Sequence, residues 1–241
     1  MPAVPGRQPR LVLVATLLDL ILPVGCAGCG AAGGLLCLPC ARALGGPPGA
    51  VSPRPEPAGF PPCRAVAPYE GSIRSALIAY KERGRRDLTR PLAEALARAV
   101  ASHPAAASAG AVLVPVPSRA AAVRQRGADT TGRLATVAAQ VLRRAGIAAR
   151  VEPVLRLSRD TADSAGLGAQ ARRANLSGAM AAEPCRAAGA ALVIVDDLVT
   201  TGATLAEASR ALAEAGCPGA LAAAVAATAR RSGVGLRAGP R

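Results

Sequence analysis

The sequence predicts an α/β fold, an open parallel sheet with helices on both faces, preceded by a small ribbon built on four cysteines. Two observations predict it. From residue 111 onward, short β-branched runs alternate with long alanine-rich stretches, a rhythm that requires crossover connections and parallel strands. Ahead of that, Cys26-x2-Cys29 and Cys37-x2-Cys40 form two pairs with the spacing of metal ligands. A chain of 241 residues, 51% of them hydrophobic, has room for one larger domain with a buried core and one small appendage.

Read in chain order, the first element is an apolar helix within residues 1–25. Arg7 and Arg10 precede LVLVATLLDLILPVGC, which has the outline of a signal peptide with a lipidated Cys26. Asp19 interrupts the apolar run, Pro23 falls in the cleavage region, and Cys26 already has a metal-spaced partner. The run from Leu11 to Leu22 is also shorter than the roughly 20 residues a membrane span needs. The expectation is a helix packed on the body of the protein, with no membrane span.

The ribbon occupies residues 26–44. Two CxxC pairs bring four thiolates, from Cys26, Cys29, Cys37 and Cys40, within reach of one tetrahedral ion, and Gly25, Gly28 and Gly30 permit tight knuckles around them. Structural zinc is the ion this set favours; iron–sulfur ligation and free thiols are the alternatives. The total of seven cysteines is odd and clustered, which argues against a disulfide framework and for a reducing, cytoplasmic setting. Cys63, Cys185 and Cys217 read as lone packing or surface thiols.

Residues 45–70 are proline-rich and read as a linker or an irregular wrap, because neither a helix nor a central strand accommodates such a density of proline. The main domain then spans 71–230, and 231–241 is a basic, flexible tail. SIRSALIAYK reads as a helix that Gly84 ends, and LTRPLAEALARAVASH as another. Strands are expected at 112–116, 148–151, 192–196 and 221–225, with helices at 119–145, 169–176 and 203–215.

The chemistry lies in LVIVDDLVTTGAT. Leu192 to Val195 make a buried strand, and Asp196 and Asp197 follow at its carboxyl end, where open α/β sheets bind ligands. Carboxylates there can accept hydrogen bonds from a vicinal diol. The turn Thr200-Thr201-Gly202-Ala203-Thr204 opens a helix, so its N–H groups and hydroxyls lie where a helix N-terminus attracts phosphate. Ribose acceptors and a phosphate cradle on one segment match a ribose 5-phosphate unit. The bland account, that the acids cap a turn and the threonines cap a helix, leaves two adjacent acids at the end of a buried strand without a reason.

This segment resembles the signature of type I phosphoribosyltransferases. By that resemblance, Asp196 and Asp197 contact the ribose hydroxyls directly or through magnesium, and Thr200 to Thr204 hold the 5-phosphate. The wider chain, from about residue 17 to 228, resembles the ComF family, which joins a cysteine-rich zinc ribbon to such a domain. Shared segments are the double CxxC, YEGSIRSALIAYKERGRRDL, the VPVPS strand end with Arg126-Gly127, and ARRANLSGAM with Asn175. The chain departs from the family at Ala128-Asp129, where an aromatic and an amide are common, and at Asp163-Ser164, where an amide is expected. Both departures touch acceptor recognition and leave the phosphate turn alone.

The resemblance places the loop from Pro115 to Arg119 opposite the signature. Arg119, Arg124 and Arg126 are candidates to stabilise a leaving pyrophosphate, with Arg126 preferred, and at least one of the three is a solvated helix position. Segment 158–178, with Arg159, Arg172 and Arg173, reads either as a lid over the donor or as an exposed loop. Lys81, Arg83, Arg85 and Arg86 form a basic run, by default a solvated helix end and otherwise a phosphate or nucleic-acid contact. His103, the single histidine, reads as a capping or surface residue, and no Ser-His or Cys-His pair supports a nucleophilic hydrolase.

The net charge of +14 favours phosphate-bearing partners, although alanine-, glycine- and arginine-rich usage also follows from a GC-rich genome. Only Phe60, Tyr69 and Tyr80 are aromatic, which leaves almost no platform for stacked bases. Two readings follow. One is an enzyme that binds phosphoribosyl pyrophosphate or a ribose phosphate, with magnesium entering on the donor, and transfers phosphoribosyl to an acceptor. The other, implied by the ComF resemblance, is a non-catalytic accessory of DNA uptake or processing that binds single-stranded DNA or DNA-uptake proteins.

Overall fold

The computed structural model describes residues 25–32, 34–118, 129–158 and 178–228. Several expectations lie outside those residues: the apolar N-terminal helix, the first part of helix 119–145, Arg119, Arg124 and Arg126, helix 169–176, almost all of segment 158–178, and the basic tail.

The architecture is α/β. The elements are α1 (Leu38–Leu44), β1 (Gly49–Val51), β2 (Cys63–Pro68), α2 (Gly71–Glu82), α3 (Thr89–Ala101), α4 (Pro104–Ala109), β3 (Ala111–Pro115), α5 (Thr130–Arg144), β4 (Ala149–Val151), β5 (Leu155–Leu157), β6 (Met180–Ala182), β7 (Ala191–Val199), α6 (Ala203–Glu214) and β8 (Leu221–Ala227). A six-stranded sheet runs β1-β2-β8-β7-β3-β4, parallel except for β1, and β5 with β6 makes a separate antiparallel pair.

Both faces of the sheet are buried, as the unbroken apolar runs demand. On β7, Val193 and Val195 join a core with Leu77 of α2, Leu92 and Leu96 of α3, and Leu134 and Leu142 of α5. Leu192 and Ile194 face the other side with Leu205 and Leu212 of α6. Each fully buried leucine contributes roughly 1.5–3 kcal/mol of transfer free energy. Strand β8 is almost all alanine, and its small side chains let helices approach the sheet from both sides.

Helix α2 forms because Ile73, Ala76, Leu77 and Tyr80 recur on one buried face, and it stops ahead of Gly84, whose φ is +66°. Helix α5 carries Arg143 and Arg144 in its last turn, where cations suit the helix dipole.

Three expectations change. The proline-rich stretch is not only a wrap: it supplies β1 and β2, and β2 lies between β1 and β8 inside the sheet. This is possible because the strand interior, Cys63 to Ala67, contains no proline, and Pro68 falls at its last position. Strand β7 also runs on past the acids to Val199. Cys185 and Cys217, read as lone thiols, are joined in a disulfide across 32 residues of chain, because β6 and α6 bring the loops that follow them together.

Candidate functional site

The chain leaves β3 through α5 to β4 on one side, while β7, β8 and α6 build out on the other. Helix α5 packs on one face of the sheet and α6 on the opposite face. The carboxyl ends of β3 and β7 therefore flank a topological switch point, the crevice where open α/β sheets take ligands. Pairing of β3 with β7 ends at Pro115 opposite Val195, with Val116 N donating to the Val195 carbonyl at 3.0 Å. Asp196 and Asp197 are the next two residues of β7.

Asp197 is 1% exposed. Its Oδ1 pairs with Lys81 Nζ at 2.7 Å, and among the described residues no donor reaches Oδ2. A buried carboxylate oxygen without a donor is costly, about 1–3 kcal/mol or more, and needs a partner. Asp196 keeps part of its surface open, and its Oδ1 accepts from the Asp197 N–H at 2.8 Å. Burial, and next the charge of Asp197, push the Asp196 carboxyl well above the usual carboxylate range, while Lys81 opposes the shift.

The turn after β7 is held from two sides. The Thr228 hydroxyl donates to the Thr200 carbonyl at 3.0 Å, and the Thr228 N–H to the Val199 carbonyl at 2.9 Å. Gly202 caps α6 with φ +76°, a left-handed conformation that glycine adopts without a Cβ penalty. A Cβ there would lie 2.7 Å from the Phe60 ring and 2.8 Å from Pro53 Cγ, so the proline-rich segment braces this turn. Ala203 N, the first N–H of α6, donates to Thr201 Oγ1 at 3.4 Å. Thr200, Thr201 and Thr204 keep part of their surface open around the helix start, while Gly202 and Ala203 are buried.

The loop after β3 reaches α5 through Ser118, whose hydroxyl donates to Asp129 Oδ1 at 3.0 Å. Asp129 stands at the N-cap position of α5, and its Oδ2 would lie 2.3 Å from any Cβ on Gly132.

At the other end of α2, the sulfurs of Cys26, Cys29, Cys37 and Cys40 all lie within 4.8 Å of one another, and Cys29 and Cys37 are 3.6 Å apart. Tetrahedral zinc with Zn–S bonds of about 2.3 Å puts its sulfurs about 3.8 Å apart, so the cluster fits a metal such as zinc. The Cys37 N–H donates to Cys26 Sγ at 3.2 Å and, as the main cause, lowers that thiol to about 6. Burial first, then neighbouring thiols, push Cys40 up to about 12. Packed thiols that resist ionising together are what a bound dication relieves. A Cβ on Gly28 would lie 2.8 Å from Cys40 Sγ and 2.9 Å from Ser72 Cβ, which seats the cluster against the first turn of α2.

Sequence reasoning missed the role of Lys81, which it grouped with a solvated basic run. Lys81 pairs with Asp197, and Arg85 binds Asp87 at 2.8 Å and the Gly25 carbonyl at 3.4 Å. One signal was present: Lys81 is the single lysine among 29 basic residues. His103, expected at a cap or the surface, sits at the N-cap position of α4 with its ring buried and one ring nitrogen 2.8 Å from the Ala222 carbonyl. Among the described residues, no helix is long and apolar enough to cross a membrane. No protein-family model matches this chain, and no curated protein matches it.

Proposed function

We propose that this protein binds phosphoribosyl pyrophosphate or a ribose 5-phosphate ligand at the carboxyl ends of β3 and β7, as type I phosphoribosyltransferases do, and transfers the phosphoribosyl group to an acceptor. The observation that carries the reading is the buried Asp197, whose Oδ2 has no donor among the described residues, a few residues ahead of a glycine-capped helix start. The ribose hydroxyls are the donors that oxygen lacks, and the first N–H groups of α6 suit the 5-phosphate.

In this reading the ribosyl–pyrophosphate bond opens, positive charge develops at the ribose carbon, and an acceptor nucleophile attacks it. The Asp196–Asp197 pair steadies that charge. Magnesium carried by the donor would offset the charge of its diphosphate. Arg126 stays the candidate for the pyrophosphate side, and a ribbon ahead of a parallel sheet supports the ComF resemblance. The accessory DNA reading leaned on residues 81–86, of which Arg85 is committed to Asp87 and the Gly25 carbonyl, and this weakens that reading.

Isothermal titration of the metal-replete protein with phosphoribosyl pyrophosphate and magnesium tests the reading, beside a variant carrying Asp196→Asn, Asp197→Asn and Thr201→Ala. Binding in the micromolar range, roughly −8 kcal/mol, is expected for the wild type and is lost in the variant. A folded wild type that binds nothing overturns the reading.

A further inference from the structure

Two adjacent carboxyls are a poor place to hold an anion unless a cation stands with them. The structure places one there. Lys81 lies in the last turn of α2, its Nζ 2.7 Å from Asp197 Oδ1, with 34% of its side chain open to solvent while that of Asp197 is 2% exposed. The position is fixed from several sides. The neighbouring Tyr80 hydroxyl donates to the Thr130 carbonyl at 3.1 Å, tying this end of α2 to α5. Arg83 caps the helix, Gly84 turns the chain away with φ +66°, and Arg85 anchors the turn on Asp87.

A lysine present only to neutralise Asp197 would leave that carboxylate satisfied. Instead Oδ2 has no donor among the described residues, and about a third of the Lys81 side chain is open to solvent. All the other basic residues of the chain, 28 of 29, are arginine.

We propose that Lys81 is a ligand-binding residue of this site, a built-in cation that bridges Asp197 to the phosphate-bearing ligand and stands where a divalent ion would otherwise join the two. The inference rests on the phosphoribosyl reading and deepens it. The ligand it selects is an anion carrying a vicinal diol, its phosphate shared between the start of α6 and Lys81.

The test is isothermal titration with ribose 5-phosphate and no added magnesium, comparing wild type, Lys81→Met, Lys81→Arg, Asp197→Asn and the Lys81→Met/Asp197→Asn double variant. Lys81→Met is expected to bind about tenfold more weakly, with Lys81→Arg in between and millimolar magnesium recovering part of the loss. The double variant is expected to bind about tenfold more weakly than Asp197→Asn alone, since a contact with the ligand survives loss of the carboxylate.

Equal binding by Lys81→Met and wild type, or by the double variant and Asp197→Asn, overturns the inference and leaves the phosphoribosyl reading standing. A wild type silent towards both ribose 5-phosphate and phosphoribosyl pyrophosphate overturns both. Where the variants fold poorly or Asp197→Asn binds too weakly to compare, reductive methylation of the wild type decides. Its single lysine is expected to be protected by ribose 5-phosphate, and labelling that saturating ligand leaves unchanged overturns the inference.

Discussion

Replacing Gly202 by alanine probes the turn ahead of α6 through its backbone and its packing together. The residue has φ +76°, and an L side chain held in the left-handed region costs about 1–2 kcal/mol. The new methyl would also meet the Phe60 ring at 2.7 and 2.8 Å and Pro53 Cγ at 2.8 Å, closer than real Cβ contacts come. Overpacking of that kind costs about 1–3 kcal/mol, so Gly202→Ala is expected to lose about 2–5 kcal/mol in all.

A cycle with Phe60→Ala removes the ring contact and leaves the dihedral strain and the Pro53 contact. In the Phe60→Ala background, the glycine substitution is expected to cost less than in the wild type but at least the dihedral strain of about 1–2 kcal/mol. Urea unfolding followed by far-ultraviolet circular dichroism reads all four proteins, a suitable probe for a chain with no tryptophan. Were Gly202→Ala to fall within about 0.5 kcal/mol of wild type, the surface-substitution range, the left-handed cap and the brace across it would both be wrong. Should the cost be full but indifferent to Phe60, the cap stands and the brace does not.

Two further outcomes follow from groups outside that turn. The protein is expected to carry one metal ion held by Cys26, Cys29, Cys37 and Cys40, and Cys40→Ser to release it; metal analysis beside thiol titration checks this, and four reactive thiols with almost no metal would refute it. His103 is held neutral: burial lowers its pKa from the ordinary 6.5, and the charge of Arg64 adds to that against the Ala222 carbonyl. Its contribution is whole above pH 6.5 and lost as pH falls, because only the unfolded chain takes up the proton, with a slope reaching about 1.4 kcal/mol per pH unit. Stability curves of wild type and His103→Gln are expected to run parallel above pH 7 and diverge below 6.5; parallel curves down to pH 5 would refute it.

What the sequence made legible was local. Two CxxC pairs, an apolar run closing on two acids, and a threonine-glycine turn opening a helix are each written within a dozen residues or so, and period and capping chemistry suffice to read them. Strand β2 hid because its neighbours Pro61 and Pro62 and its own Pro68 dominate the composition, while the five residues between carry no alternation. Strands β5 and β6, three residues each, are too short for any periodicity to register. The Cys185–Cys217 bridge depends on where β6 and α6 end, which spacing alone does not encode. Lys81 and Asp197 are likewise far apart in the chain, so their pairing waits on the fold; a lone lysine in an arginine-rich chain was the only written hint.

Helix α2 explains how the ribbon and the site belong to one structure. The cysteine cluster presses on Ser72 in its first turn, and Lys81 in its last turn holds Asp197. Nine residues of helix separate the two contacts, about 14 Å along the axis, too far for an ion at the ribbon to touch a ligand at Asp197. A metal there would act on the site only as a brace. It would close the ribbon on the amino end of α2, while Arg85 returns from beyond the carboxyl end to the Gly25 carbonyl and Tyr80 fixes the helix to α5. With both ends and one face held, the Lys81 ammonium has little freedom to leave Asp197, and a ligand bound as proposed would meet it already in place.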